Sequence, residues 1–332
     1  MRPTPCSAAL ALFLGFVASA SAADVACQRP VSDLLPVLHR MERSWSRVSD
    51  YTSRLVKTER FVDGTLTKER GIIHFRKPNQ LHLRVVEGPN AGAEVLFPKP
   101  GTDDVILGRP GGVSGTVAGF LVSLPAVGGL IPHEFDLHDP RLLDGQHHPL
   151  PDSSLGGMIR LIATNVRIAA RRGEGGVCFH ASEVVAGHRS TKIEVHLPAD
   201  RGLWHTVAEG ETLWSIGEDY GQDRYVILYN NGATDEWDDL PPGTRIFIPR
   251  YYAPRAVIWI SEDIDLPVRL RLFDDQGRLY ESYTNAGLAI DVGLDDEDFD
   301  PARHGFPAGG RADRPAERKA QRDPPARAIG IR

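Results

Sequence analysis

Twelve histidines and 44 acidic residues give this chain ample material for metal binding or acid–base chemistry, so their spacing decides what they can do. A zinc hydrolase needs two imidazoles one helical turn apart with a carboxylate beside them, and no His-Glu-x-x-His occurs. His147 and His148 are adjacent and would point to different sides, while His133-Glu134 and His138-Asp139 lack a third ligand at a helical interval. Ser114, in Gly111-Gly112-Val113-Ser114-Gly115, misses the nucleophile-elbow pattern by one position. The Gly-rich stretch around it has no Lys-Ser or Lys-Thr pair to hold a phosphate. These patterns predict isolated surface histidines, no metal, no cofactor and no catalytic residue, and hence a binding protein rather than an enzyme.

The cysteines and the N-terminus speak of export. Arg2 precedes the apolar run Ala8 to Ala18, and Ser19-Ala20-Ser21-Ala22-Ala23 supplies small residues that fit a peptidase cleft. That run is well short of the roughly 20 residues of a spanning helix, so residues 1–23 are expected to be a cleavable signal and the mature protein periplasmic. Cys6 leaves with the signal. The mature chain keeps Cys27 and Cys178, either bonded to each other or present as two buried thiols; a bridge would close a loop worth about 5 kcal/mol by chain entropy. The net charge of -6 argues against a nucleic-acid partner.

Apolar residues spaced by three and four, from Leu34 to Val48, predict a helix over 31–48 behind the Ser32-Asp33 cap. The period then drops to two. Tyr51 to Phe61 and Leu66 to Phe75 read as a hairpin across Asp63-Gly64, continued by Gln80 to Glu87 and Ala93 to Phe97. Arg70, His74, Arg76, His82 and Arg84 alternate with Ile73, Phe75, Leu81, Leu83 and Val85, as in a sheet wet on one face and covered on the other. Residues 108–131 are Gly-rich and then apolar with breakers, and Met158 to Val166 reads as a helix. Strands resume at 177–185, 189–197, 257–260, 267–273 and 279–283. Residues 291–300 are acidic, and the Pro-, Ala- and Arg-rich residues 301–332 are expected to be a disordered basic tail.

Between the two late sets of strands, residues 204–251 change to strand, helix, helix, strand, as in a small domain inserted at a loop. Three blocks occur there in order: Gly210-Glu211-Thr212-Leu213, the helix ending at Asn230-Asn231, and Leu240-Pro241-Pro242-Gly243-Thr244 with Ile248-Pro249. Thr212 can cap a helix whose inward face is Leu213, Ile216 and Tyr220. The segment resembles a LysM domain. The resemblance implies a shallow groove for N-acetylglucosamine-containing glycans such as peptidoglycan, walled by Gly210, Glu211, Thr212 and Leu213 on one side and by Asn230, Asn231 and Gly232 on the other. The connection 233–239 is longer and more acidic than is usual for such domains, and Trp237 within it is either a sugar-stacking platform or a lid on the small core.

The remainder, residues 24–203 plus 252–300, is similar to exported bacterial domains of unknown function related to the lipoprotein carriers LolA and LolB. The residues behind this are Gly92 to Phe97, His147-His148-Pro149-Leu150 with Gly156-Gly157-Met158-Ile159, Asp265 to Arg269 and Tyr280-Glu281-Ser282-Tyr283. The resemblance implies an α+β fold, a curved incomplete antiparallel β-barrel closed by helices, whose interior takes a lipid, a lipoprotein or a protein partner. Two other outcomes stay open: a cell-wall hydrolase targeted by its LysM domain, or an envelope protein in which that domain is purely structural.

Overall fold

The computed structural model describes residues 29–109, 111, 116–117, 120–121, 133–137, 147–148, 150–232 and 240–306. The expected export signal 1–23, Cys27, Ser114, most of 118–132, His138-Asp139, the Trp237 connection and residues 307–332 lie outside the described residues.

A two-residue strand β1 (Arg29–Pro30) leads to α1 (Leu35–Arg47), which buries Leu38 and Met41 and carries Pro36 in its first turn, where no helical N–H is lost. Strands β2 (Asp50–Arg60) and β3 (Leu66–Arg76) form the hairpin across Asp63-Gly64, with Thr65 donating to the Asp63 carboxylate and Gly64 at a positive φ of 87°. There follow β4 (Gln80–Glu87), β5 (Glu94–Phe97), β6 (Val105–Arg109), the short β7 (Thr116–Val117) and β8 (Phe120–Leu121), and β9 (His133–Asp136). Helix α2 (Leu155–Arg172) starts at Ser154, whose hydroxyl accepts from Gly157 N, and ends at Gly173 in the left-handed region. Its Gly156 lets the Trp45 ring approach: a Cβ there would come within 2.8 Å of the indole. The chain continues with β10 (Gly176–Phe179), β11 (Glu183–Val185), β12 (His188–His196), β13 (Gly202–Thr206), α3 (Leu213–Tyr220), α4 (Arg224–Asn231), β14 (Arg245–Pro249), β15 (Arg255–Ser261), β16 (Pro267–Phe273) and β17 (Leu279–Ile290).

Thirteen strands pair antiparallel in the order β1-β10-β12-β15-β16-β17-β2-β3-β4-β5-β6-β9, with β11 beside β12. Two meanders therefore meet along β17 and β2. Strands β1 and β9 end the order without pairing to each other, so the sheet is open. Its inner face carries Tyr51, Leu55, Ile73, Phe75 and Leu81, which pack with α1 and α2 into the main core. The Tyr51 hydroxyl accepts the Leu155 N–H at 2.9 Å, fixing the start of α2 on that face.

Strands β13 and β14 form a separate two-stranded sheet, Gly202 opposite Pro249 and Thr206 opposite Arg245. His196 pairs with Arg255, so the whole strand–helix–helix–strand segment sits within the turn of the β12–β15 hairpin. Thr212 and Ser215 cap α3 reciprocally, and Gly221 and Gly232 end α3 and α4 at positive φ. Tyr220, expected on the inward face of α3, is instead exposed, with its hydroxyl 3.0 Å from His205 Nδ1. Val207, Leu213, Ile216, Val226, Ile227, Ile246 and Ile248 are buried, in a core continuous with that of the large sheet.

The outer face departs from the wet surface expected of the Arg and His row. Phe299 and Phe306 pack on Leu96 and Leu107, with Leu294 against them, and this covering leaves His82 only 5% exposed. The covering chain folds into 3₁₀ turns at Asp296–Phe299 and Pro301–His304. Packed structure thus extends to Phe306, past the expected boundary at 301, because two aromatic anchors flank a run that composition alone reads as solvated.

Candidate functional site

Register creates a problem at the seam of the two meanders that the site solves. Glu281 of β17 lies directly opposite Glu59 of β2, both fully buried on the inner face, and like charges in that position repel. Polar partners converge on each. Glu281 Oε1 is 2.5 Å from His147 Nδ1 and accepts from the Tyr252 hydroxyl, and its Oε2 is 3.3 Å from His148 Nε2. Glu59 takes the Lys57 ammonium at 3.0 Å and the Tyr283 hydroxyl at 2.7 Å. Lys57 also reaches Glu69 at 3.2 Å, and Glu69 is held by the Asn90 amide at 2.7 Å.

The electrostatics follow from those contacts. Burial opposes charge on Glu281, but His148 and His147 outweigh it and hold the carboxyl far below its usual range. Burial likewise opposes charge on His148, and Glu281 and Asp223 reverse that, so its pKa stands well above the ordinary imidazole value. Burial, and then the neighbouring Glu281, push Tyr252 and Tyr283 well above the phenol range, so both stay protonated as donors. Glu281 is therefore a buried anion held by three partners on its two oxygens.

The inserted segment completes the seam. Asp223, the cap of α4, stands 3.5 Å from His148 Nδ1, and Tyr225 stacks on His147 with ring centroids 3.8 Å apart. The Tyr229 hydroxyl donates to Asp274 at 3.0 Å, and Tyr229 packs against Tyr280. His147 and His148, expected as isolated surface groups, are thus the buried junction between the two parts of the chain.

Two cavities adjoin this cluster. The first, about 80 Å³, is lined by Leu55, Leu83, Val85, Val95, Ile106 and Leu150, with Lys57, Glu69, Asn90, His148 and Tyr283 among its polar walls. The second, about 290 Å³, shares Leu55, His148, Ser153 and Tyr283 with the first and runs between α2 and the Gly221-Gln222-Asp223 corner of the insert. A third opening of about 390 Å³ lies where the insert meets the large sheet, walled by Trp204, Tyr229, Asn230, Phe247, Tyr251 and Asp275.

The residues singled out for glycan binding have mostly local duties. Gly210 takes a positive φ of 82° in a turn, Glu211 accepts from Ala208 N and engages His205 at 2.7 Å, and Thr212 caps α3. Leu213 is core. The Asn231 amide bridges α4 to β14, donating to Ile227 O and Phe247 O and accepting from Phe247 N, while Gly232 ends α4. Asn230 lines the third opening. Cys178, on β10, is disulfide-bonded, and its expected partner Cys27 lies outside the described residues.

Sequence reasoning passed over Lys57, Glu59, Glu69 and Tyr252, and quoted Glu281 only as a marker of fold. The available signal was acidic and basic residues at inner-face positions of otherwise apolar strands. It also passed over a second cluster, His82, Glu94 and His304, whose ligand atoms all lie within 4.8 Å of one another. No helix among the described residues is long and apolar enough to cross a membrane.

Residues 48–207 match the model of a family described as a protein of unknown function, DUF1571. No curated protein matches the chain. Among solved structures, the chain is similar to an uncharacterized conserved protein from Thermus thermophilus, with 6% identity and a TM-score of 0.35 over 80% of this chain and 92% of that one. It is also similar to the lipoprotein LppX of Mycobacterium tuberculosis, with 12% identity and a TM-score of 0.33 over 80% and 98% of the two chains. A LolA superfamily protein from Nitrosomonas europaea shows 7% identity and a TM-score of 0.27 over 81% and 98%.

Proposed function

We propose that the chain is an exported, non-catalytic protein of the cell envelope that holds an amphiphile, a lipid or a lipid-modified segment, on the inner face of its open sheet. The insert, in this reading, is a LysM-like module that keeps the protein on N-acetylglucosamine-containing peptidoglycan. The observation that carries the proposal is the pair of adjoining cavities beside the buried cluster, apolar along Leu55, Leu83, Val95 and Ile106 and charged at Lys57, Glu69 and His148. Each methylene moved from water into such a space gains about 0.8 kcal/mol, and a polar headgroup would meet the charged end. At about 290 Å³ the larger cavity is near the lower bound for a small-molecule site, which suits a single-chain lipid whose chain continues into the smaller, apolar cavity better than a multiply acylated one.

Native mass spectrometry of the purified protein with a single-chain lipid tests the carrier role. One equivalent is expected on the wild type, and Leu83→Trp, which fills the smaller cavity, is expected to lose it while keeping the wild-type circular dichroism. Equal binding by both proteins would refute the site. The docking role is supported by the strand–helix–helix–strand insert and by Trp204, which is 60% exposed beside Asn230 at the third opening and offers an aromatic face to a sugar ring. A single exposed module binds weakly. Co-sedimentation with peptidoglycan sacs, reversed by N-acetylglucosamine oligomers and not by glucose oligomers, is the expected result; no co-sedimentation would remove docking and leave the carrier role standing.

A further inference from the structure

The second histidine cluster, His82, Glu94 and His304, gathers its ligand atoms on the outer face of the sheet. Glu94 of β5 lies opposite Arg109 of β6 and Arg84 of β4, which places it diagonal to His82 on the same face of the sheet. Its Oε2 takes the Arg109 guanidinium, leaving Oε1 turned toward His82 Nε2 at 2.7 Å and His304 Nδ1 at 3.6 Å. His304 reaches this point because the Pro301–His304 turn lies over the strands.

The hydrogen bonding of His304 fixes what its other nitrogen offers. His304 Nε2 is 2.8 Å from the Asp298 carbonyl oxygen, which can only accept, so Nε2 carries the proton. Nδ1 is then the nitrogen left to face the Glu94 carboxylate oxygen, across 3.6 Å. That distance is too long for a hydrogen bond. It matches the spacing of two ligands on one tetrahedral zinc ion, about 3.4 Å for bonds near 2.1 Å. The carbonyl-held N–H is the usual second contact of a metal-ligating imidazole. On the other side, His82 is stacked on His304 with ring centroids 3.8 Å apart, and its Nδ1 is buried without a hydrogen-bond partner among the described residues.

We propose that His82, Glu94 and His304 form a binding site for a divalent transition-metal ion, with Zn²⁺ the best match to two imidazoles and one carboxylate. Arg109 orients the carboxylate from behind. Occupation requires the His82–Glu94 pair to open by under about 1 Å, to tetrahedral ligand spacing. The bound ion would tie the 294–306 segment to β4 and β5, adding a coordination clasp to the contacts of Phe299 and Phe306.

Titration of untagged protein with Zn²⁺ in a non-chelating buffer, read by calorimetry, is expected to show one equivalent bound at this site. Glu94→Gln and His304→Ala should each weaken binding more than about tenfold, whereas exposed His39→Ala should leave it unchanged. His304→Gln serves as a second variant, since it keeps the volume of the ring in the turn. Co²⁺ should give a visible absorption band that Glu94→Gln removes. Failure of the wild type to bind Zn²⁺, or binding that survives both Glu94→Gln and His304→Gln, or binding that is lost instead in His147→Gln, would overturn the assignment.

Discussion

Replacing Glu281 by Gln removes the charge on which two histidines converge and keeps the shape of the side chain. Glu281, His147 and the facing Glu59 are almost wholly buried, so water cannot take the place of the lost charge. Breaking one partner of a buried ion pair costs about 3–5 kcal/mol, and the amide still accepts one hydrogen bond, so about 3 kcal/mol is the figure to expect. At about 2 °C per kcal/mol for a unit of this size, Tm falls by about 6 °C. The sign with pH is fixed by the two shifts. Burial disfavours the charged carboxylate, but His148 and His147 lower the Glu281 pKa, so its contribution is present above about pH 4.5 and is lost as pH falls toward the depressed value. Glu281 and Asp223, outweighing burial, raise the His148 pKa, so its contribution is full below about pH 6.5 and is lost as pH rises through the raised value. The gap between wild type and Glu281→Gln should therefore be widest between about pH 4.5 and 6.5 and narrow on the alkaline side. Urea unfolding from pH 4.5 to 9.5 measures it, and a gap under about 1 kcal/mol, or one independent of pH, would refute this reasoning.

Tyr51→Phe leaves the Leu155 N–H buried without its acceptor and should cost about 1–3 kcal/mol in the urea midpoint. Asn231→Ala cuts both hydrogen bonds that its amide makes from α4 to β14; hydrogen exchange should speed up at the Phe247 amide while the amides of β2 and β3 keep their protection. With Cys27 as the partner of Cys178, Cys27→Ser should lower stability by about 5 kcal/mol under oxidising conditions, and an unchanged unfolding curve would exclude that pairing. Deleting 202–249 should destabilise the large sheet, because Tyr225 and Tyr229 cover His147 and Tyr280; a deleted chain with the full wild-type Tm would show instead that the two cores are independent.

Much of the local structure was legible because its causes are local. The Asp63-Gly64 turn, the Thr212 cap and the end of α4 at Asn230-Asn231 each depend on a few neighbouring residues. Alternation in β3 and β4 separated two faces correctly, yet it carried no information on what covers either one. His82 looked solvated until Phe299 and Phe306 folded over it. The seam was hidden for the same reason at longer range: His147 and Glu281 are 134 residues apart in sequence, and the repulsion between Glu281 and Glu59 exists only once β17 pairs with β2 in that register. In the insert the blocks were plain, but several of their polar groups, Glu211, Thr212 and Asn231 above all, are engaged in holding the segment together.

A spin-labelled single-chain fatty acid, titrated into methyl-labelled protein and followed by nuclear magnetic resonance, tests the inner-face site most directly. The account predicts saturable broadening of the methyl signals of Leu55, Leu83 and Val95, while Leu96 and Leu107 on the outer face keep their line widths. Broadening confined to the outer face, or none at saturating lipid, would contradict it.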